Sequence, residues 1–363
     1  MEELQSPPAA PVAGSPDPSP AQPRAYALTF HAHGGEYFRI WIVNLLLTIL
    51  TLGIYSAWAK VRRNQYFYAS TELAGASFEY HGKPMAILKG RIIAVLMIGA
   101  YNLALKFAPL LALAIGLVLM AVIPWFIWKS LQFRLYNTSY RGIRFGFDGS
   151  AREAYFTYLL RPWLNVLTLG LGTPYIHHSL KDFQHSESRF GKARFSFHAS
   201  VLSFYKVYGI FVAVMLTGLG LLGWLFVMRV KAAQGNVALL MEQKYELVAL
   251  AFAFYAWIFA LFPLFTTLLQ NLIWNQTRLE PHGFRSSMRW SRLTVITLSN
   301  FVGMVLTLGL FTPFAQVRML RYRIESMALL SQGSLDDFVA DTAAQVSATG
   351  EGLADVLDFD LSL

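Results

Sequence analysis

IWIVNLLLTILTLGIYSAWAKVRR, residues 40–63, decides how the rest of the chain is read. An apolar run is interrupted at Thr51-Leu52-Gly53 and closes on a basic, aromatic, amphipathic end. The unit returns as LNVLTLGLGTPYIHH from Leu164 to His178 and within LSNFVGMVLTLGLFTPFAQVR from Leu298 to Arg318. Glycine lets the backbone turn, and a threonine hydroxyl can satisfy a carbonyl freed in an apolar medium. Pro174 and Pro313 follow their threonines by six residues and remove a backbone donor. Thr51, Gly53, Thr168, Gly170, Pro174, Thr307, Gly309 and Pro313 are therefore candidates for helix breaks bordering a cavity, as broken helices do in transporters. The plainer alternative is a kink, or close helix packing through small residues.

Composition places these runs in a membrane. Of 363 residues, 55% are hydrophobic and 14% charged, against roughly 25% charged in soluble domains, and mean hydropathy is +0.43. With no cysteine in the chain, disulfides, thiolate metal sites and thiol nucleophiles are excluded. Lys and Arg total 30 against 21 Asp and Glu, an excess that suits cytoplasmic loops facing anionic headgroups better than nucleic acid. Residues 1–25 are Pro-rich, without an apolar core, and read as a disordered tail rather than a signal peptide. Residues 334–363 carry seven acids and no base and read as an acidic, partly helical tail able to lie against basic loops.

A second pattern runs through the intervening chain. Thr71 and Phe78, Thr138 and Phe145, Ser188 and Phe195, and Thr277 and Phe284 share one spacing. Aromatic and polar residues alternate around a glycine, the signature of a short hairpin. LTFHAHGG near the N-terminus resembles the last strand of such a unit. Counting from phenylalanines 30, 78, 145, 195 and 284 gives about five degenerate modules over 26–333, alternately short and long. The expected fold is an all-α polytopic membrane protein of about seven membrane segments, with short β-hairpins at the cytoplasmic face.

Two topologies satisfy the apolar segments. If each TLG stretch crosses once, loops 59–91 and 129–155 fall on the opposite side from 177–202 and 273–292. All four are basic, with 6, 5, 4 and 4 Lys or Arg against 2, 2, 2 and 1 acids, so seven full spans conflict with the positive-inside rule. If the TLG stretches re-enter, bent at Gly53, Gly170 and Gly309, all four loops and the C-terminus are cytoplasmic. Each half is then about 22 Å long, too short for about 30 Å of hydrocarbon.

Polar residues inside apolar runs are few. Asn44, Arg161 and Asn300 each stand seven residues before a TLG threonine, and an intramembrane arginine marks a functional candidate unless it snorkels to the interface. Lys60, Arg62, Arg63, Arg318 and Arg321 follow the first and last TLG units among aromatics, as cations placed for lipid phosphates are. The apolar runs contain no Asp or Glu, which weakens ion-coupled transport. His31, His33, His81, His177, His178 and His185 lack a zinc-site spacing, and no P-loop or nucleophile elbow occurs. No catalytic, cofactor or metal residue is assigned.

NLLLTILTLGIYSAWAKVRRNQYFYAST with GASFEYHGKP and ILKGR, then YNTSYRGIRFGFDGS and TLGLFTPFAQVR, resemble the YjgN-like family of bacterial inner-membrane proteins, over roughly residues 27–340. The resemblance implies a multi-pass inner-membrane protein and supplies no activity. Transport or lipid and small-molecule handling is the leading functional expectation. A structural membrane protein with a protein partner or a homo-oligomer comes second, and a membrane enzyme last. The expected partners are the bilayer and its anionic phospholipid headgroups.

Overall fold

The computed structural model describes residues 24–348 apart from 235 and 237–243; the tail expected over 1–25 lies outside them except for its last two residues, as does the acidic tail beyond 348. The expectation of an all-α protein is overturned. Among the described residues, ten antiparallel strands close into one barrel in the order β1-β10-β9-β8-β7-β6-β5-β4-β3-β2. They are β1 Arg24–Phe30, β2 Thr71–Leu73, β3 Ala76–Tyr80, β4 Thr138–Tyr140, β5 Ile143–Phe147, β6 Ser188–Phe190, β7 Ala193–Phe197, β8 Thr277–Leu279, β9 His282–Ser286 and β10 Met327–Ser331. Hairpins of three and five residues are too short to persist singly in water. They exist because each pairs with the next, and because β1 pairs with β10 from the opposite end of the chain, leaving no free edge.

Sequence accounts for the local geometry. Two-residue hairpin turns demand positive φ, and Ala74-Gly75 (47°, 77°) and Arg141-Gly142 (49°, 79°) adopt it. Alternation turns every second side chain inward. Phe78, Phe145, Phe195 and Phe284 stack around one level, with neighbouring centroids 6.4, 6.4 and 6.1 Å apart. The register makes Leu28 the fifth member: Leu28 faces Leu73 as Phe78 faces Tyr140, whereas Phe30 faces Thr71 as Tyr80 faces Thr138. Phe30 therefore sits one inward step from where the phenylalanine count puts it. Leu73, Tyr140, Phe190, Leu279 and Leu329, all buried, form the alternate level. The barrel is thus a packed core, not a pore.

Between strands the chain makes five helical excursions. The first is α1 (Gly34–Leu50) and α2 (Ser56–Ala69); the second is α3 (Pro84–Phe107) and α4 (Pro109–Tyr136). The third contains α5 (Ala151–Tyr155), a π-helical turn over Phe156–Leu160, α6 (Arg161–Leu167) and α7 (Thr173–Ser186). The fourth is α8 (Val201–Ala232) with α9 (Lys244–Asn275), and the fifth α10 (Trp290–Leu306) with α11 (Thr312–Glu325). Each helix packs on its neighbours in this order and α11 packs back on α1, so the helices form a ring continuing the barrel. At each barrel-ring junction one backbone bond recurs: His31 N–H to Ser70, His81 to Asn137, Asp148 to Glu187, His198 to Gln276 and Ser287 to Ser326, at 2.8 to 2.9 Å. The hydroxyls of Thr71, Thr138, Ser188 and Thr277 donate to carbonyls four residues back, tying each strand to the helix before it.

Only α3, α4, α8 and α9 are both long and apolar enough to cross a membrane among the described residues. A last helix, α12 (Leu335–Ala348), covers the barrel's far end. Its Leu335 is buried, Phe338 packs edge-on against His282 at 4.4 Å, and Asp336 accepts from Arg141. Phe190, 3% exposed, joins Tyr140, Phe145 and Phe338. Phe190→Ala is expected to destabilise the barrel by about 3–5 kcal/mol, read as a large fall in melting temperature of the detergent-purified protein.

Candidate functional site

The three TLG segments are tight turns joining consecutive helices of their excursions. Thr51, Thr168 and Thr307 donate to the carbonyls of Leu47, Leu164 and Gly303, and accept from the N–H groups of Tyr55, Gly172 and Phe311 at 2.8 to 2.9 Å. One hydroxyl thus caps both helices. Leu52, Leu169 and Leu308 have φ near 50°, and Gly53, Gly170 and Gly309 have φ of 93°, 92° and 91°. Their N–H groups reach five residues back, to Thr48, Asn165 and Met304, closing the C-terminal ends of the first arms. A Cβ on these glycines would meet nothing within 4 Å, and the leucines before them are 95%, 93% and 95% exposed. Pro174 and Pro313 are buried in the first turns of α7 and α11, where a missing N–H costs no helical bond.

Halfway down each TLG hairpin lies one arginine. Asn300 donates to the Ala315 carbonyl and accepts from Arg318, which also reaches Ser299. Asn44 and Arg62 occupy the same two positions in the first hairpin, Asn44 with its buried carbonyl oxygen unpartnered. In the third excursion the roles swap: Arg161 takes the asparagine position, Ser179 the arginine position, and Arg161 donates to buried Thr157. Arg321 donates to the Ala32 carbonyl, fastening α11 to the start of α1. Arg62 and Arg63 are exposed. With Arg39, Ile40, Val43 and Gln65, Arg62 lines a shallow cleft of about 420 Å³. A second cleft, about 360 Å³ and apolar, lies between α8 and α9 among Phe211, Met215, Phe254 and Phe265.

Basic side chains also gather on the ring's inner face, where the sequence reading assigned no site. Counted back from the first residue of each returning strand, a hydroxyl residue in all but β10, which begins at Met327, positions four and seven share a helix stripe with that residue. These positions hold Arg134, Lys181 and Arg323, with Lys60 four further out on α2. Burial lowers the Lys181 pKa, and so do the charges of Arg134 and Arg323; burial, then Arg91, Arg63 and Arg134, lowers that of Lys60. Arg323 donates through Nε to Gln270 at 2.7 Å, and Lys181 to Gln184 at 3.1 Å. His177 accompanies them, 3.0 Å from the Tyr208 hydroxyl, as does His185, 3.2 Å from Thr277 Oγ1. No group of His, Asp or Glu able to hold a metal occurs among the described residues. The signal that would have found the cluster is the fixed count back from the first residues of the returning strands, Thr138, Ser188 and Met327; read linearly, the cations look like ordinary interfacial ones.

Burial, reinforced by Lys181 and for His185 also by Arg134, pulls both imidazoles down to about 4. Between that value and the ordinary 6.5, the unfolded chain binds protons that the folded one does not, so stability falls as pH drops through this window. Melting temperature should decline from pH 6.5 towards pH 4, and a His177→Asn, His185→Gln double variant should flatten that decline.

The family model described as "Bacterial protein of unknown function (DUF898)" matches residues 25–356. An inner membrane protein YjgN of Salmonella typhimurium (strain LT2) is 34% identical over 145 residues, 40% of this chain and 37% of that protein. Its counterpart in Escherichia coli (strain K12) is 31% identical over 155 residues, 41% of this chain and 37% of that protein. The matched stretch thus spans little more than a third of these relatives. No solved structure matches.

Proposed function

The chain belongs to the DUF898 family of bacterial proteins of unknown function, and from that premise we propose that it is a multi-pass inner-membrane protein that handles lipids or small amphiphiles. Its relatives are named inner membrane proteins, and four described helices are apolar enough to cross. One observation carries the reading: both ends of every TLG hairpin are tied into the same barrel, so the hairpin must return to the side it left. Its 17-residue first arm, α1, is about 25 Å long, and fully exposed leucines at the tips suit a hydrocarbon environment.

The hairpins therefore re-enter, while α3 with α4 and α8 with α9 cross and come back. All four basic loops then lie on the barrel side, which the positive-inside rule makes cytoplasmic. Arg24 and Ser331 pair at the barrel rim, so the start of β1 and the end of β10 lie on that side too. Residues 26–333 act as one membrane-anchored unit in this reading. The fifth and first excursions, both short, are neighbours in the ring. Among the described residues no helix continues the ring above these tips, and a lipid can enter there from the bilayer.

The lack of native cysteine makes topology directly testable. Leu52→Cys, Leu169→Cys and Leu308→Cys should resist a membrane-impermeant maleimide added to the periplasmic side, whereas Leu110→Cys at the α3–α4 tip should react. Labelling of the three TLG tips would contradict re-entrance. In reconstituted vesicles, fluorescent phospholipid should exchange between leaflets faster than in protein-free vesicles; equal rates would contradict lipid handling.

A further inference from the structure

We propose that the inner face of the helix ring, where it meets the barrel, is a binding site for a phosphate-type oxyanion, held by Arg134, Lys181 and Arg323 with Lys60 at its outer lip. This names the ligand chemistry for the lipid-handling reading and rests on it for how the ligand arrives.

The distribution of counter-charges carries the argument. Elsewhere in the protein some arginines do have carboxylate partners: Arg189 and Arg194 share Asp148 at 2.9 and 3.1 Å, Arg141 meets Asp336, and Arg229 meets Glu246. On the inner face no such pairing occurs. Among the described residues neither Arg134, Lys181, Arg323 nor Lys60 has a carboxylate partner, and no carboxylate is among the charges acting on Lys60, Lys181 or His185. The groups that hold Arg323 and Lys181 are neutral amides. Gln270, itself buried, accepts from Arg323 Nε and donates back to the Arg323 carbonyl, and Gln184 accepts from Lys181 while donating to the Tyr158 hydroxyl. Neutral partners fix the position of a cation without cancelling its charge.

The cations also act on one another: the charges of Arg134 and Arg323 both bear on Lys181, and that of Arg134 on Lys60. Arg323 and Arg134 are reached by solvent, so a ligand can approach them. Like charges gathered beside protein repel each other more strongly than in water, and an oxyanion relieves that repulsion while offering acceptors to the guanidinium forks. The barrel is packed with its stacked phenylalanines and covered by α12, so in this reading the anion enters from the membrane side. A phospholipid headgroup and free phosphate both carry the required chemistry.

The full-length protein in a zwitterionic detergent provides the test, with inorganic phosphate compared to chloride at equal ionic strength and phosphatidylglycerol compared to phosphatidylcholine. At saturation, phosphate or phosphatidylglycerol should raise the melting temperature by about 5 °C over its control. Arg134→Gln and Lys181→Gln should each raise the melting temperature without added anion, because repulsion is relieved, and weaken anion binding about tenfold. The double variant should lose the response, while Arg194→Gln, which pairs with Asp148 away from this face, keeps it. A response to phosphatidylglycerol alone identifies a headgroup site, and a response to inorganic phosphate alone a soluble-anion site. If neither anion exceeds its control, or the double variant responds like the parent, the site is refuted. Lipid exchange is read separately, so a protein that binds the anion but moves no lipid keeps this inference and loses the one before it.

Discussion

Every helical excursion starts and ends in one closed ring of strands, and that closure governs the rest of the structure. A strand of three or five residues contributes few hydrogen bonds, and no hairpin here could stand alone. Stability arises only when five pairs complete each other's edges, with the last pair drawn from opposite ends of the chain. The topology is therefore highly non-local: β1 waits for β10 some 300 residues later. What compensates for that closure entropy is the packed interior, where the phenylalanine level and the level of Leu73, Tyr140, Phe190, Leu279 and Leu329 interlock.

From this constraint the proposed membrane arrangement follows. A helix pair whose two ends are pinned to one barrel can only make an even number of crossings, whatever its length. Length then sorts the pairs: α3 with α4 and α8 with α9 are long enough to reach the far leaflet, and the TLG hairpins are not. Within each TLG hairpin a single threonine hydroxyl terminates one arm and starts the next, and a glycine at φ near 92° completes the reversal. The motif recurs at the tips of three short excursions, and a compact turn with its backbone groups internally satisfied suits the water-free medium proposed for them.

Some of this was legible in the residues, and the remainder had no local signal to read. The spacing from Thr71 to Phe78, repeated at Thr138, Ser188 and Thr277, marks out the hairpins because period-two alternation is a property of neighbouring residues. That these hairpins pair with one another is not, since strand partners lie in different excursions; hence the mistaken all-α fold. Leu28 shows the same limit. Phe30 looks like the fifth phenylalanine, and only the Leu28–Leu73 register shows that a leucine holds that place. The TLG residues stood out through repetition, but a proline six residues on suggested a break inside a helix, where Pro174 and Pro313 in fact begin one. Arg134, Lys181 and Arg323 come together only through the ring and were invisible as a group.

The account depends most directly on the pairing of β1 with β10. Ala27 and Ala328 are register partners, at the separation of opposed residues in an antiparallel sheet, about 4.5–5.5 Å between Cα atoms, which a disulfide can bridge. In the naturally cysteine-free chain, Ala27→Cys with Ala328→Cys should oxidise rapidly to an intramolecular disulfide in the membrane-embedded monomer. Failure to cross-link, or cross-links only between two chains, would show that the barrel does not close.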